Sequence, residues 1–484
     1  MRPGDRPAAS AGGIWRTKPI ELLLQQADEP ERRLTRSLGL LGLTAFGVAA
    51  IVGAGIFVLT GVAAARYAGP AIVLSYLLAA VVSGLAALCY AELAGCVPVA
   101  GSAYTYAYAV LGEVVAWAVG WALILEYGVG AAAVGVGWAG YVHDLLRGAL
   151  GIELPRALSS SPFGSPPGVV DLPAVIVLLL LTGLLLTGTR KSGRVASAVV
   201  ALKLAVVVLF VVVGAGHIDP ANWHPFMPYG LAGVTTGAAV IFFAYIGFDQ
   251  VSTAAEEARQ PQRTVPMAIV LSLVVCTFLY VAVAAVLTGM VPASSLDNPS
   301  PVTGALLAVG LRWAGAVVAA GVVAGLTSVL LVMLFGQSRI IFAMARDGFL
   351  PGPVGRVHRR TRVPWVATLL VGVGVALLAG LTPIDTLAQL TNIGTLAAFF
   401  TVSLAVWRLR WTRPDLPRSF RVPLVPVVPL VSAGASAFLA LRLPPLTLAR
   451  FGAWMLLGLV VYLAWGRRRS RLNAGRAGGS RVEP

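Results

Sequence analysis

Residues 49–60 read A-A-I-V-G-A-G-I-F-V-L-T, and the fold turns on how Gly53, Ala54 and Gly55 are read. The apolar segment around them runs over 38–65. Its roughly 28 residues would extend about 42 Å as a helix, more than the roughly 30 Å that a bilayer core requires. Two glycines one residue apart near the middle of such a segment weaken the helix and let its backbone open. Opened backbone at that depth is tolerated only where it lines a cavity in the protein. A half-helix resuming near Ile56 would present free N–H groups and a positive dipole end, which suit an anion such as a carboxylate. The competing reading is that these glycines only let helices pack closely. The chain holds 54 glycines, and G-x-G recurs at 128/130, 135/137, 214/216 and 372/374. A matching break elsewhere must decide between the two readings.

Composition sets the solvent. The chain is 58% hydrophobic and only 12% charged, with a mean hydropathy of +0.85, whereas a soluble domain carries about 25% charged residues. An all-α polytopic membrane protein follows. The opening 35 residues are polar and charged and contain no apolar signal run. The net charge of +16 would suit nucleic acid, but its distribution points elsewhere. About twelve apolar spans can be placed, over 38–66, 70–96, 101–143, 170–189, 193–215, 230–258, 265–291, 313–344, 364–381, 384–408, 423–442 and 447–466. With these spans, 29 of the 36 lysines and arginines fall on the side of the two tails, 6 fall on the other side, and Lys203 lies within a span. That asymmetry is the positive-inside rule, so both termini are expected in the cytoplasm of a multi-pass protein of the cell membrane. Its partner is the lipid bilayer, not nucleic acid.

The spans divide as five, five and two. The organisation is a polar tail over 1–35, a first repeat over 36–215, a second over 216–408, two further helices over 409–466 and a basic tail over 467–484. A repeat with an odd number of spans must be inverted, because its second copy enters from the other side. Span 6 should therefore break as span 1 does. Its sequence over 239–257 is A-V-I-F-F-A-Y-I-G-F-D-Q-V-S-T-A-A-E-E, interrupted at Gly247, Phe248 and Asp249. This correspondence favours two facing breaks over two glycine-bearing helices. The segment 292–312 between spans 7 and 8 has room for a short helix, and span 3 opens on Gly101, Ser102 and Ala103 as an interfacial segment.

Few ionisable residues lie deep in the spans. Lys203 sits in the run A-L-K-L-A-V-V-V-L-F over 201–210, about ten residues from either end of span 5, too far to snorkel easily. The chain has only three lysines against 33 arginines. A lysine can give up its proton and an arginine cannot, so a proton-coupling role competes with a fixed ion pair between helices. Glu126 reads either as a buried proton acceptor or as a rim carboxylate. Asp249 reads either as a cavity residue or as a cap on the second half of span 6. Glu92 and Glu113 read as solvated or capping groups near the cytoplasmic mouth. Phe242, Phe243 and Tyr245 cannot all face a cavity, and Trp117 and Trp121 share one helix face as packing residues. The cysteines Cys89, Cys96 and Cys276 and the four histidines offer no metal-ligand spacing, so no metal and no cofactor are expected.

The chain resembles the amino acid–polyamine–organocation superfamily, and within it the bacterial cationic amino acid transporters. The resemblance covers about 36–466. It is carried by G-A-G-I-F-V-L-T-G over 53–61, Y-A-E-L over 90–93 and P-V-A-G-S-A-Y-T-Y over 98–106. It continues through G-E-V-V-A-W-A-V-G-W-A-L-I-L-E-Y over 112–127, F-F-A-Y-I-G-F-D over 242–249 with Glu256 and Glu257 behind it, P-Q-R-T-V-P over 261–266 and S-R-I-I-F-A-M-A-R-D-G over 338–348. The resemblance implies a leucine-transporter-like fold: a five-plus-five inverted repeat with two extra helices and breaks in helices 1 and 6. It implies amino acid substrates. The break at Gly53, Ala54 and Gly55 would receive the α-carboxylate, and carbonyls of Ile51, Phe243, Ala244 and Ile246 the α-amino group. Lys203 matches the span 5 lysine that replaces a sodium ion between spans 1, 5 and 8 in proton-coupled members. Ala54 lacks the hydroxyl that some members carry there.

The expected activity is secondary transport: import of L-amino acids with protons by alternating access. An exchanger or polyamine antiporter on the same fold is the alternative, and an amino acid sensor on a degenerate transporter fold the more distant one. No buried constellation suggests an enzyme. A cationic substrate side chain would need a dedicated carboxylate, for which Asp249 and Glu126 are the candidates. Ile51, Ala54, Phe243, Ile246, Ser328 and Met333 otherwise make a weakly polar pocket for alanine- to leucine-sized substrates. Both a monomer and a complex with a small membrane subunit are compatible with the sequence.

Overall fold

In the computed structural model, residues 15–21, 38–97, 102–147, 151–164, 166–187, 193–253, 258–358, 361 and 363–469 are described. Among them the regular structure is helical, and the only β pairings are isolated bridges at Leu38–Ala258 and Ser159–Asp171. Long apolar runs leave this as the favoured solution, since a helix satisfies its backbone within one segment. Seven helical stretches are long and apolar enough to cross a membrane, and five shorter apolar helices accompany them.

The helices are α1 (Leu40–Ile51), α2 (Ile72–Cys96), α3 (Ser102–Val110), α4 (Glu113–Leu145), α5 (Leu172–Leu186), α6 (Gly193–Ala215) and α7 (Gly230–Ile241), followed by α8 (Pro261–Met290), α9 (Pro301–Ala308), α10 (Arg312–Arg346), α11 (Trp365–Leu381), α12 (Ile384–Thr412), α13 (Val427–Leu441) and α14 (Pro445–Val461). Between α1 and α2 the chain rewinds over Gly55–Leu59, Thr60–Ala63 and Ala64–Ala68, the first and last of these as π-helix. Leucines and phenylalanines such as Leu180, Phe278, Leu441 and Leu456 stand exposed on the outside of the bundle, as a lipid-facing surface requires.

Span 3 is not one helix. Gly112, at φ +108°, turns the chain between α3 and α4. A side chain there would strike the backbone of Trp15 at 2.8 Å, so this glycine also seats the N-terminal segment. That segment is docked by three further contacts. The Lys18 N–H donates to the Tyr108 carbonyl at 3.0 Å, Ile20 is buried, and Glu21 pairs with Arg413 at 2.9 Å. The expected short helix after span 7 is α9. The loop before it is pinned on three sides. Pro301 lies against Gly61 and Pro299 against Gly140, Ser300 bonds Asp144, and Arg66 reaches both Asp297 at 2.9 Å and Asp385 at 3.3 Å.

Glu92 corrects a sequence expectation. It is completely buried, gripped by Arg410 at 2.6 and 2.7 Å and by Arg418 at 3.2 Å, and it accepts the Val422 N–H at 2.7 Å. A carboxylate can be taken out of water only with such charged and hydrogen-bonded partners. The partners lie more than 300 residues away in sequence, so its neighbourhood on α2 could not reveal them. Glu113 is likewise buried and accepts the Tyr462 hydroxyl at 3.2 Å. Trp117 and Trp121 stack on one another, and their indole N–H groups donate to Gly458 and Trp454, holding α14 against α4 as packing residues.

Candidate functional site

Two helices stop in the middle of the bundle and face each other there. α1 ends at Ile51. Val52 turns to an extended conformation (φ −71°, ψ 102°), and the helix resumes at Gly55, one residue before the position expected. α7 ends at Ile241, tightens into a 3-10 turn over Phe242–Tyr245, becomes extended at Ile246 and turns at Gly247, φ +119°. The short helix Gln250–Thr253 follows. Both expected breaks are therefore present.

The glycines explain how the breaks meet. A Cβ on Gly55 would lie 2.3 Å from the Cα of Ala244, and one on Gly247 would lie 2.8 Å from the carbonyl oxygen of Ala50. Each break thus presses its glycine against the backbone of the other, closer than any side chain permits. Gly53 differs: its nearest neighbour would be a Val329 methyl at 3.7 Å, an ordinary contact. The Ala54 methyl lies on the side of Gly137 in α4. Gly55 and Ala244 are thus brought into contact, while Gly53 faces α10 across a looser gap.

An opened backbone must find partners for its polar groups. Lys203 of α6 supplies some of them. It is buried, and its Nζ donates to the carbonyls of Ala49 at 3.2 Å and Val52 at 3.4 Å, on the last turn of α1 and at the break itself. Its stem runs along Gly325 of α10, where a Cβ would meet the lysine Cγ at 2.9 Å. A cation on a helix C-terminus is favourable twice over, through the dipole and through the orphan carbonyls. The residue therefore joins α1, α6 and α10, the three spans expected around it. Tyr280 of α8 bridges the breaks: its hydroxyl is 2.8 Å from the Ala244 carbonyl and 3.0 Å from that of Ile51, sharing one proton between them. Along the rewound segment the Tyr141 hydroxyl donates to Phe57 at 2.6 Å, and Thr60 bonds Ile56 and the Tyr76 hydroxyl at 2.7 and 2.6 Å.

The remaining sequence candidates divide. Phe242 packs on Phe399, and Tyr245 lies edge-on to Tyr76 and Tyr280 with its hydroxyl bonded to the Tyr76 carbonyl. Phe243 is buried in the same 3-10 turn. Asp249 is buried in the turn after Gly247, where its main-chain carbonyl accepts from Ser252. Glu126 is buried as well, on the side of α4 that faces Gly394 and Thr395 of α12, within electrostatic reach of Asp249, and its Oε2 has no protein hydrogen-bond partner. It is not a rim carboxylate. Ile51, Ala54, Phe243, Ala244, Ile246 and Met333 are all buried, so the walls near the breaks are apolar.

Sequence reasoning missed Tyr280 and Asn392. The Asn392 amide donates to Ala239 and Val240 at 2.7 and 2.8 Å. Tyr280 lies in the apolar run V-C-T-F-L-Y-V-A over 275–282, and Asn392 in the mixed stretch Q-L-T-N-I-G-T-L over 389–396. The signal existed, but tyrosine and asparagine carry no fixed charge and drew no notice beside Lys203.

Comparison with known proteins identifies the family. The family model described as "Amino acid permease" matches residues 38–462. The branched-chain amino acid permease BcaP of Bacillus subtilis is 47% identical over 466 residues, covering 96% of this chain and 99% of that protein. The methylthioribose transporter of the same organism is 43% identical over 460 residues, covering 95% and 99%. Human cationic amino acid transporter 4 is 39% identical over 408 residues, covering 84% of this chain and 64% of its own. The chain belongs to the amino acid permease family, and it is a multi-pass membrane transporter.

Proposed function

We propose that this permease imports small and branched neutral L-amino acids together with protons. It would work by alternating access around the two breaks, within twelve spans arranged as a five-plus-five inverted repeat and two further helices. The twelve apolar helical stretches and shorter helices found among the described residues fit that count, and the facing breaks of α1 and α7 fit the repeat. The observation that carries the reading is Lys203 Nζ on the carbonyls of Ala49 and Val52. A protonated lysine would tie the end of α1 to α6 and α10, and losing the proton would remove the charge and one of its three N–H donors, weakening the hold on α1. Proton transfer would thus be linked to the helix that closes the site.

Gly53, Ala54 and Gly55 with the rewound segment would receive the substrate carboxylate, and the carbonyls of Ile51, Phe243, Ala244 and Ile246 its ammonium group. Asp249 and Glu126 would act within the protein rather than as partners of a cationic substrate side chain. Apolar neighbours such as Val329 and Met333 support a neutral substrate, as does the naming of two relatives for branched-chain amino acids. Both termini would be cytoplasmic.

The test is uptake in proteoliposomes under an imposed pH gradient, with alanine, leucine, arginine and methylthioribose as competitors. The wild-type protein should accumulate alanine or leucine in proportion to the inward proton gradient. Lys203→Met should keep substrate binding and lose accumulation. Gradient-driven uptake by the methionine variant would refute the coupling role, and stronger competition by arginine or methylthioribose would refute the neutral assignment. A reporter cysteine placed before Trp15 tests the orientation; labelling from outside intact cells would overturn it.

A further inference from the structure

We infer that Asn392 is a positioning residue for the substrate ammonium group, acting through the backbone of span 6. The inference rests on the functional reading above, in which carbonyls of Phe243, Ala244 and Ile246 receive that group.

The last four carbonyls of any helix lack partners further along the same helix. In α7 these include Ala239 and Val240, one turn before the 3-10 turn that leads into the break. The Asn392 amide nitrogen takes both, at 2.7 and 2.8 Å. Two carbonyl partners on one side-chain atom also settle which end of the amide is nitrogen, because an oxygen there would face two acceptors. Asn392 is fully buried, deep within α12. Buried N–H groups are costly unless they are bonded, so these two bonds hold α12 and the end of α7 in one register.

The same helix holds the far side of the break. Seven residues on, Phe399 packs against Phe242 and Phe248, with ring centroids 5.7 and 4.9 Å apart. Phe242 precedes Gly247 and Phe248 follows it, so α12 grips span 6 on both sides of its opening. Asn392 supplies a directional part of this grip, whereas aromatic packing tolerates sliding. A shift of α7 about its axis would move the carbonyls of Phe243 and Ala244 with it, because a 3-10 turn joins them rigidly to Ile241. The Asn392 oxygen, buried and without a protein partner, adds an acceptor beside this register.

The experiment uses the full-length transporter in proteoliposomes. Alanine uptake is measured in the wild type and in Asn392→Leu, with competition by N-methylalanine, whose ammonium carries one proton fewer to donate. Asn392→Ser serves as a smaller substitution if the leucine variant does not yield monodisperse protein. The expected result is a KM for alanine raised about tenfold at nearly constant maximal rate, the size of one lost buried hydrogen bond. The preference for alanine over N-methylalanine should fall by about fivefold or more. A merely structural role would lower the amount of active protein and leave that preference unchanged, and this result would overturn the inference. If the wild type binds no amino acid, the functional reading fails and this inference falls with it. If the wild type binds alanine and the variants keep its preference, the inference alone falls.

Discussion

A single methyl group placed on one or the other of two glycines separates the packing of the breaks from their sequence appearance. In Gly55→Ala the new carbon would sit 2.3 Å from the Cα of Ala244, and its next neighbours are the Cβ and N of the same residue at 2.6 and 2.8 Å. None of these is the movable end of a flexible side chain. Carbon atoms prefer about 3.5–4.0 Å, so the two breaks must part by roughly 1.5 Å. Tyr280, which reaches Ile51 and Ala244 at once, cannot then keep both bonds. Overpacking of this kind costs about 1–3 kcal/mol, or about 5- to 150-fold in an equilibrium that needs the breaks together. In Gly53→Ala the new carbon meets Val329 methyls at 3.7 and 3.8 Å and the Ile51 carbonyl oxygen at 3.9 Å, all ordinary contacts, and its backbone is not in the left-handed region. The variant should fold and bind alanine within about threefold of wild type, since well-tolerated substitutions stay within about 0.5 kcal/mol. Both are compared by thermal shift and alanine binding on purified protein, where ligand binding to the native state raises apparent stability. Normal binding by Gly55→Ala, or its loss in Gly53→Ala alone, would refute the packing account.

Other outcomes follow from the same geometry. Tyr280→Phe removes one hydroxyl from two buried carbonyls and should weaken alanine binding by about tenfold while expression is kept, as unsatisfied buried acceptors cost about 1–3 kcal/mol; unchanged affinity would remove Tyr280 from the site. The docked N-terminal segment gives a pH prediction. Its own backbone N–H and the Arg413 guanidinium hold the Glu21 carboxyl below the usual carboxylate range. A depressed value means the contribution is present above the ordinary carboxylate pKa and is lost as pH falls through the lowered one. The protection factor of the Lys18 amide, which donates to Tyr108, measured against the intrinsic exchange rate at each pH, should therefore fall on acidification and also in Glu21→Gln at neutral pH. The expected size is about two- to fivefold, because exposed ion pairs contribute about 0.2–1 kcal/mol; equal protection in Glu21→Gln would show that Ile20 and the backbone suffice.

The class of protein, the approximate spans and both breaks could be read from residue order alone. Each depends on a local property: a run of apolar residues long enough to span lipid, or glycines inside that run which let the backbone open. Lys203 was legible for a related reason, since a charge within an apolar run announces itself wherever its partner lies. The partners were not legible. That Lys203 would seek the carbonyls of Ala49 and Val52, that Gly55 would press on Ala244 while Gly53 stayed loose, and that Glu92 would be enclosed by Arg410 and Arg418 are contacts across some 150 to 330 residues of chain. Tyr280 and Asn392 were hidden for the complementary reason: neither is charged, and their importance lies in which orphan carbonyls they meet. Local sequence determines where a helix must open, because that is set by the residues of the opening. Tertiary packing alone decides what satisfies the freed groups, because the donors arrive on other helices.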